Sequence, residues 1–159
     1  MRRSLFLIAM LLAVPAVAED VAFQRHVLDV DTSLEHRPIR GISGTQYAFP
    51  GTSGRIMDKA QACMQGVEGL VVASSDTEKG RLEVGVRIGY RKRWADRGVA
   101  SKMTVEAGDG VFRITHSDLR YMQEDSGGYV PLAHRQGDWD GALEELIARE
   151  QRVIDCMFR

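Results

Sequence analysis

Four histidines, two cysteines and one basic stretch hold most of the chemistry this chain could perform. His26, Asp29, Asp31 and His36 mix imidazole and carboxylate in one short segment, the donor types that zinc and other divalent ions accept. Their spacing fits no ligand motif, and they read as surface polar groups. His116 and Asp118 stand two apart in an alternating stretch, which would put both on one strand face, where a carboxylate can orient an imidazole for general acid–base work. Ser117 would then point to the opposite face, and no Gly-x-Ser-x-Gly turn offers a nucleophile. A small hydrolase or metal-dependent enzyme built on His116 and Asp118, or on the His26–His36 segment, is therefore the alternative reading. No catalytic, metal-ligating or cofactor-binding residue is assigned, and no cofactor is expected.

The main reading starts from a different group. Arg87, Arg91, Lys92, Arg93 and Arg97, with Tyr90 and Trp94 among them, form the one local concentration of charge. Arginine's planar fork pairs bidentately with phosphate or carboxylate, and an exposed tryptophan is a frequent anchor at interfaces. Arg87, Arg91, Lys92, Arg93, Trp94 and Arg97 are therefore the expected contact residues for an anionic envelope component or another protein. Met57, Met64, Met103, Met122 and Met157 could offer thioethers to copper, but three of them fall on apolar faces and read as core filling.

The N-terminus sets the compartment. Met1-Arg2-Arg3 precedes an apolar run from Leu5 to Val14, then Pro15 and the small-residue pattern Ala16-Val17-Ala18. This is the layout of a secretory signal peptide, with cleavage expected near Ala18 and a periplasmic or secreted product. The run of about ten apolar residues is half the roughly twenty needed to cross a bilayer as a helix, and no later stretch in the mature chain is long enough either. Removal of Arg2 and Arg3 takes the basic residues from 21 to 19 against 22 acids, a formal charge of about −3. That balance gives no reason to expect nucleic acid as a partner. In an oxidising compartment, Cys63 and Cys156, some ninety positions apart, read as a single bridge.

The elements that must position these groups follow from periodicity. Ile56, Ala60, Cys63 and Val67, joined by Met57 and Met64, form a helical stripe, with Ser53 the expected cap and Gly66 the expected stop. Leu82, Val84, Val86, Ile88 and Tyr90 alternate with polar or glycine residues as a half-buried strand. It follows a short strand at Leu70–Ala73. Residues 99–107 and 111–121 flank Gly108-Asp109-Gly110. If Gly108-Asp109 is the turn, Val105 faces Phe112, Met103 faces Ile114 and Ser101 faces His116. Asp138 can cap a last helix with Trp139, Leu143, Leu146, Ile147, Ile154 and Met157 on one side. Residues 19–46 read as an extended segment with one or two short strands, and 47–159 as the folded domain.

The sum is an α+β, two-layer domain: a four-stranded antiparallel meander with two helices on one face, stapled by Cys63–Cys156. Several landmarks support this: the short strand into Gly51-Thr52-Ser53, the helix from Met57 to Met64, the strand Gly80-Arg81-Leu82-Glu83-Val84-Gly85, the hairpin Met103-Thr104-Val105 to Gly110-Val111-Phe112-Arg113-Ile114, and the final helix. Together they resemble a bacterial exported domain-of-unknown-function family whose fold is like the TATA-binding protein. The resemblance spans much of 47–158 and implies the fold. It carries no catalytic residues, and a fold name does not confer nucleic-acid binding. The expected function is a non-enzymatic binding or accessory module of the cell envelope.

Overall fold

Apolar residues every second position along residues 82–88, and every third or fourth along 56–64 and 143–157, need a common interior, and the sheet and helices supply it to one another. The computed structural model describes residues 18–123 and 126–159, so the leader read over residues 1–18 lies, Ala18 apart, outside the described residues. The order is β1 (Ala18–Phe23), β2 (His26–Asp31), β3 (Ile39–Ala48), α1 (Ser53–Gln65), β4 (Leu70–Asp76), β5 (Arg81–Lys92), β6 (Ala95–Gly108), β7 (Val111–Met122), β8 (Tyr129–Pro131) and α2 (Trp139–Met157). All the strands pair antiparallel in one sheet, ordered β1-β2-β3-β7-β6-β5-β4, and β8 continues along β7 beyond the end of β3.

The expected meander is present as β4-β5-β6-β7, and both helices pack on the apolar face of the sheet. The sheet is larger than the four strands expected: it has eight among the described residues. Residues 19–46 contribute β1, β2 and most of β3. Their alternation is obscured by bulges between Asp29 and Val30 and between Ser43 and Gln46, where a residue drops out of the two-residue period. Gly41, Ser43 and Gly44 add no apolar signal. Even so, Leu28, Val30, Ile39 and Ile42 reach the core.

Three local expectations are corrected. The β6–β7 turn is Asp109-Gly110, so Val105 faces Ile114 and Met103 faces His116. Gly110 takes φ +80, a conformation that a side chain disfavours, which is why Asp-Gly rather than Gly-Asp closes the turn. The register moves by two residues, so the apolar face is preserved. The cap of α1 is Thr52, whose side chain accepts from the Arg55 N–H. Ser53 instead donates its hydroxyl to the Ala107 carbonyl at 3.1 Å, and its N–H is taken by the Asp109 carboxylate at 2.9 Å. Asp138 precedes α2 but makes no side-chain cap. Its carboxylate is engaged elsewhere.

Helix α2 lies over the sheet with Leu143, Leu146, Val153, Ile154 and Met157 buried, each such side chain contributing roughly 1.5–3 kcal/mol. Cys63 on α1 and Cys156 on α2 form a disulfide, with Cα atoms 5.7 Å apart. The bridge joins two helices that would otherwise meet only through side-chain packing. Replacing both cysteines by serine should lower the unfolding free energy by about 2–4 kcal/mol, read as a lower urea midpoint with a somewhat steeper slope, because the unbridged chain unfolds to a more expanded state.

Candidate functional site

Two groupings of polar side chains stand out, one buried beneath α2 and one displayed on the surface. The buried one centres on Glu150, 1 % exposed and in the middle of the apolar face of α2. The His26 Nε2–H donates to its Oε1 at 3.1 Å and the His116 Nε2–H to its Oε2 at 3.3 Å. On the other side of the ring, His116 Nδ1 is hydrogen-bonded to the Ser101 hydroxyl at 3.0 Å. His26 is 7 % exposed and His116 2 % exposed, so β2, β6, β7 and α2 meet on one buried polar chain. Gly44 of β3 leaves the room: a Cβ there would stand 3.0 Å from Glu150 Oε1 and 3.4 Å from His26 Nε2. Burial pushes the Glu150 carboxyl up, but the hydrogen bonds from His116 and His26 outweigh it and hold the group below the ordinary glutamate value.

This arrangement overturns both histidine readings. Asp118 does not share a face with His116. The register slips between Ala100 and Lys102, Asp118 takes φ +50, and Ser117 and Asp118 both turn outward. Asp118 then pairs with Arg120 at 3.0 Å. His26 faces the interior while His36 is exposed, Asp31 pairs with Arg40 and Ser33, and no group of three or more His, Cys, Asp or Glu is disposed to hold a metal among the described residues. His134 packs against Trp139, its ring 4.4 Å away, and burial together with Arg135 and Arg37 pushes its imidazolium down. Glu150 itself was readable as a candidate: it stands four residues after Leu146 and four before Ile154, an acid inside an apolar stripe.

The displayed grouping is the β5–β6 hairpin. β4 leaves β5 after Val86, and β7 leaves β6 at Val99, so Gly89–Lys92 and Ala95–Gly98 pair only with each other and project as an arm. The underside of the arm is tied down. The Tyr90 hydroxyl donates to Asp138 Oδ2 at 3.0 Å, Lys92 donates to Asp138 Oδ1, and Arg97 donates to the Tyr121 hydroxyl. Burial and the bond to Asp138 push the Tyr90 phenol far above its usual value, and the Asp138 hydrogen bond raises the Lys92 ammonium. Lower down, the Arg87 guanidinium lies 5.2 Å from the Tyr129 ring centre.

The tip of the arm is free. Arg93 and Trp94 close it as a two-residue turn with φ +51 and +70, where asparagine and glycine are the usual occupants. Trp94 is 92 % exposed, Arg91 reaches only Asp96 at 3.5 Å, and exposed Arg93 has no hydrogen bond or ion pair among the described residues. Of the six residues expected to bind an anion or partner, the fold therefore presents Arg91, Arg93 and Trp94 together at the tip, engages Lys92 and Arg97 beneath it, and stacks Arg87 on Tyr129.

Two helices on one face of an antiparallel sheet, with this order of elements, define a TBP-like α+β domain. Among solved structures the chain is similar to a TBP-like protein from Parabacteroides distasonis, with a TM-score of 0.59 and 14% identity over 88% of this chain and 97% of that one. It is similar as well to a DUF4468 family protein from Bacteroides ovatus, with a TM-score of 0.58 and 11% identity over 78% and 88%. At such identities the likeness is one of fold. No protein-family model matches the sequence, and no curated protein matches it.

Two outcomes follow from these geometries. Glu150 has a lowered folded value, so its contribution is present above the ordinary glutamate value of about 4.3 and is lost as pH falls through the folded one. Glu150→Gln should cost about 1–3 kcal/mol at neutral pH, since its amide can accept only one of the two imidazole N–H groups, and flatten the loss of stability below about pH 4.3, both read from urea unfolding at a series of pH values. The double substitution Arg93→Asn/Trp94→Gly should raise stability by about 1–2 kcal/mol, because it relieves two left-handed side-chain residues without touching the core. Thermal unfolding by circular dichroism reads that gain.

Proposed function

We propose that this protein is an exported, non-enzymatic accessory module of the cell envelope that grips an anionic component through the tip of the β5–β6 arm. The observation that carries the reading is Trp94. A large aromatic residue, 92 % exposed, is held with Arg93 in a backbone conformation that folding alone disfavours. Strain and exposure at one place are characteristic of a contact site rather than of a solvated turn. The arm is braced from below by Tyr90 and Lys92 on Asp138, so the tip is presented without a large ordering cost on binding.

Compartment and charge support the same reading. The leader-type N-terminus and the Cys63–Cys156 bridge both suit an oxidising location. The side chains with catalytic potential, His26, His116, Ser101 and Glu150, are buried and bonded to one another, with His26 at the floor of a surface cleft lined also by Gln24, Arg25 and Glu144. These bonds tie β2, β6 and β7 to α2, which is a structural role. The test uses the exported, processed chain on an immobilised polyglutamate column. A protein with an excess of acids should be retained only through a local basic surface, and Arg91→Glu/Arg93→Glu should elute at clearly lower salt than the parent. Equal elution of the two would remove the arm as the site.

A further inference from the structure

Resting on that reading of the arm, we infer that its anionic partner is the surface of a phospholipid bilayer, with Trp94 seated at headgroup depth and Arg91 and Arg93 on lipid phosphates. A hot spot for a folded protein partner lies at the centre of an apolar patch ringed by weaker contacts. The tip of this arm is different. Among the described residues Trp94 is the one exposed large apolar side chain of the arm, and its chain neighbours on either side are cationic Arg93 and half-buried Ala95. One amphipathic ring flanked by guanidinium groups is the composition favoured where water meets lipid: tryptophan holds the interface and cations hold the phosphates.

The geometry agrees with the composition. A two-residue hairpin tip is convex and narrow, and a fluid headgroup layer can close around it where a preformed protein surface would need a matching socket. Arg93 is free to reach a phosphate, and Arg91 is 69 % exposed with only Asp96 beside it. Lys92, by contrast, is turned under the arm onto Asp138, which fixes the angle at which the tip leaves the sheet. The exposed Asp96 limits insertion to shallow depth, since a carboxylate is repelled by the same headgroups.

The experiment uses the processed chain with vesicles of phosphatidylglycerol and phosphatidylethanolamine, and with vesicles of phosphatidylcholine alone. Co-sedimentation gives the partition coefficient. Tryptophan emission reports the environment of Trp94, because the chain's other tryptophan, Trp139, is packed against Phe23 and His134. Binding to the anionic vesicles alone, weakened by salt and with a shift to shorter wavelength, is expected. Trp94→Ala should abolish the shift. Arg91→Gln/Arg93→Gln should lower the partition coefficient about thirtyfold, about fivefold per cation, equivalent to about 1 kcal/mol each. Retention on polyglutamate without vesicle binding would overturn the bilayer as partner and leave the arm as an anion site. Vesicle binding that neither variant weakens, or no binding to vesicles or polyglutamate, would overturn both.

Discussion

A carboxylate placed in the apolar face of a helix can stay there only if donors meet it, and Glu150 is met twice. His26 from β2 and His116 from β7 supply one N–H to each oxygen, and Ser101 of β6 completes the chain. Removing any member leaves a buried polar atom without its partner, and an uncompensated one costs far more than the net value of a single hydrogen bond. Apolar packing alone would let α2 slide along the sheet by a turn. Two bonds to fixed strands from one residue oppose it, and the Cys63–Cys156 bridge holds the far end of the helix.

From that anchor, the rest of α2 acts as a bracket. Its beginning, at Asp138, holds Tyr90 and Lys92 of the projecting arm; its end, at Cys156, is bonded to α1. The side chains that brace the displayed site, seal the interior and join the two helices thus lie at or along one element. The arm is braced by groups anchored beside the core, and behind its strained tip its two strands pair with each other residue by residue. Strain of this kind persists only where the surroundings over-determine it.

Much of this was legible in sequence, but unevenly. Both helices and the strands of the meander followed from periods of 3.6 and 2, since Ile56, Ala60 and Cys63, or Leu82, Val84 and Val86, declare a buried face without reference to anything distant. The three strands of residues 18–48 were faint because bulges and glycines break the period. The pairing of His116 with Asp118 failed for the same reason: one extra residue at Asp118 turns the carboxylate out to solvent, where alternation would have placed it beside the ring. Arg91, Arg93 and Trp94 were visible as a cluster, yet their division from Lys92 and Arg97 was not, because that depends on where α2 begins relative to the arm.

By itself the sequence determined the two apolar helix faces, the alternating strands and, with two cysteines in the chain, the one intramolecular bridge they can form. These are local or compositional properties, read from neighbours in the chain. The tertiary structure alone decided which imidazoles meet Glu150, that Asp138 braces an arm instead of capping a helix, and that the turn with Trp94 stands clear of the sheet. His26 and Glu150 are 124 positions apart. A contact across such a distance is selected by strand register and helix docking acting together, and no periodicity along the chain encodes it.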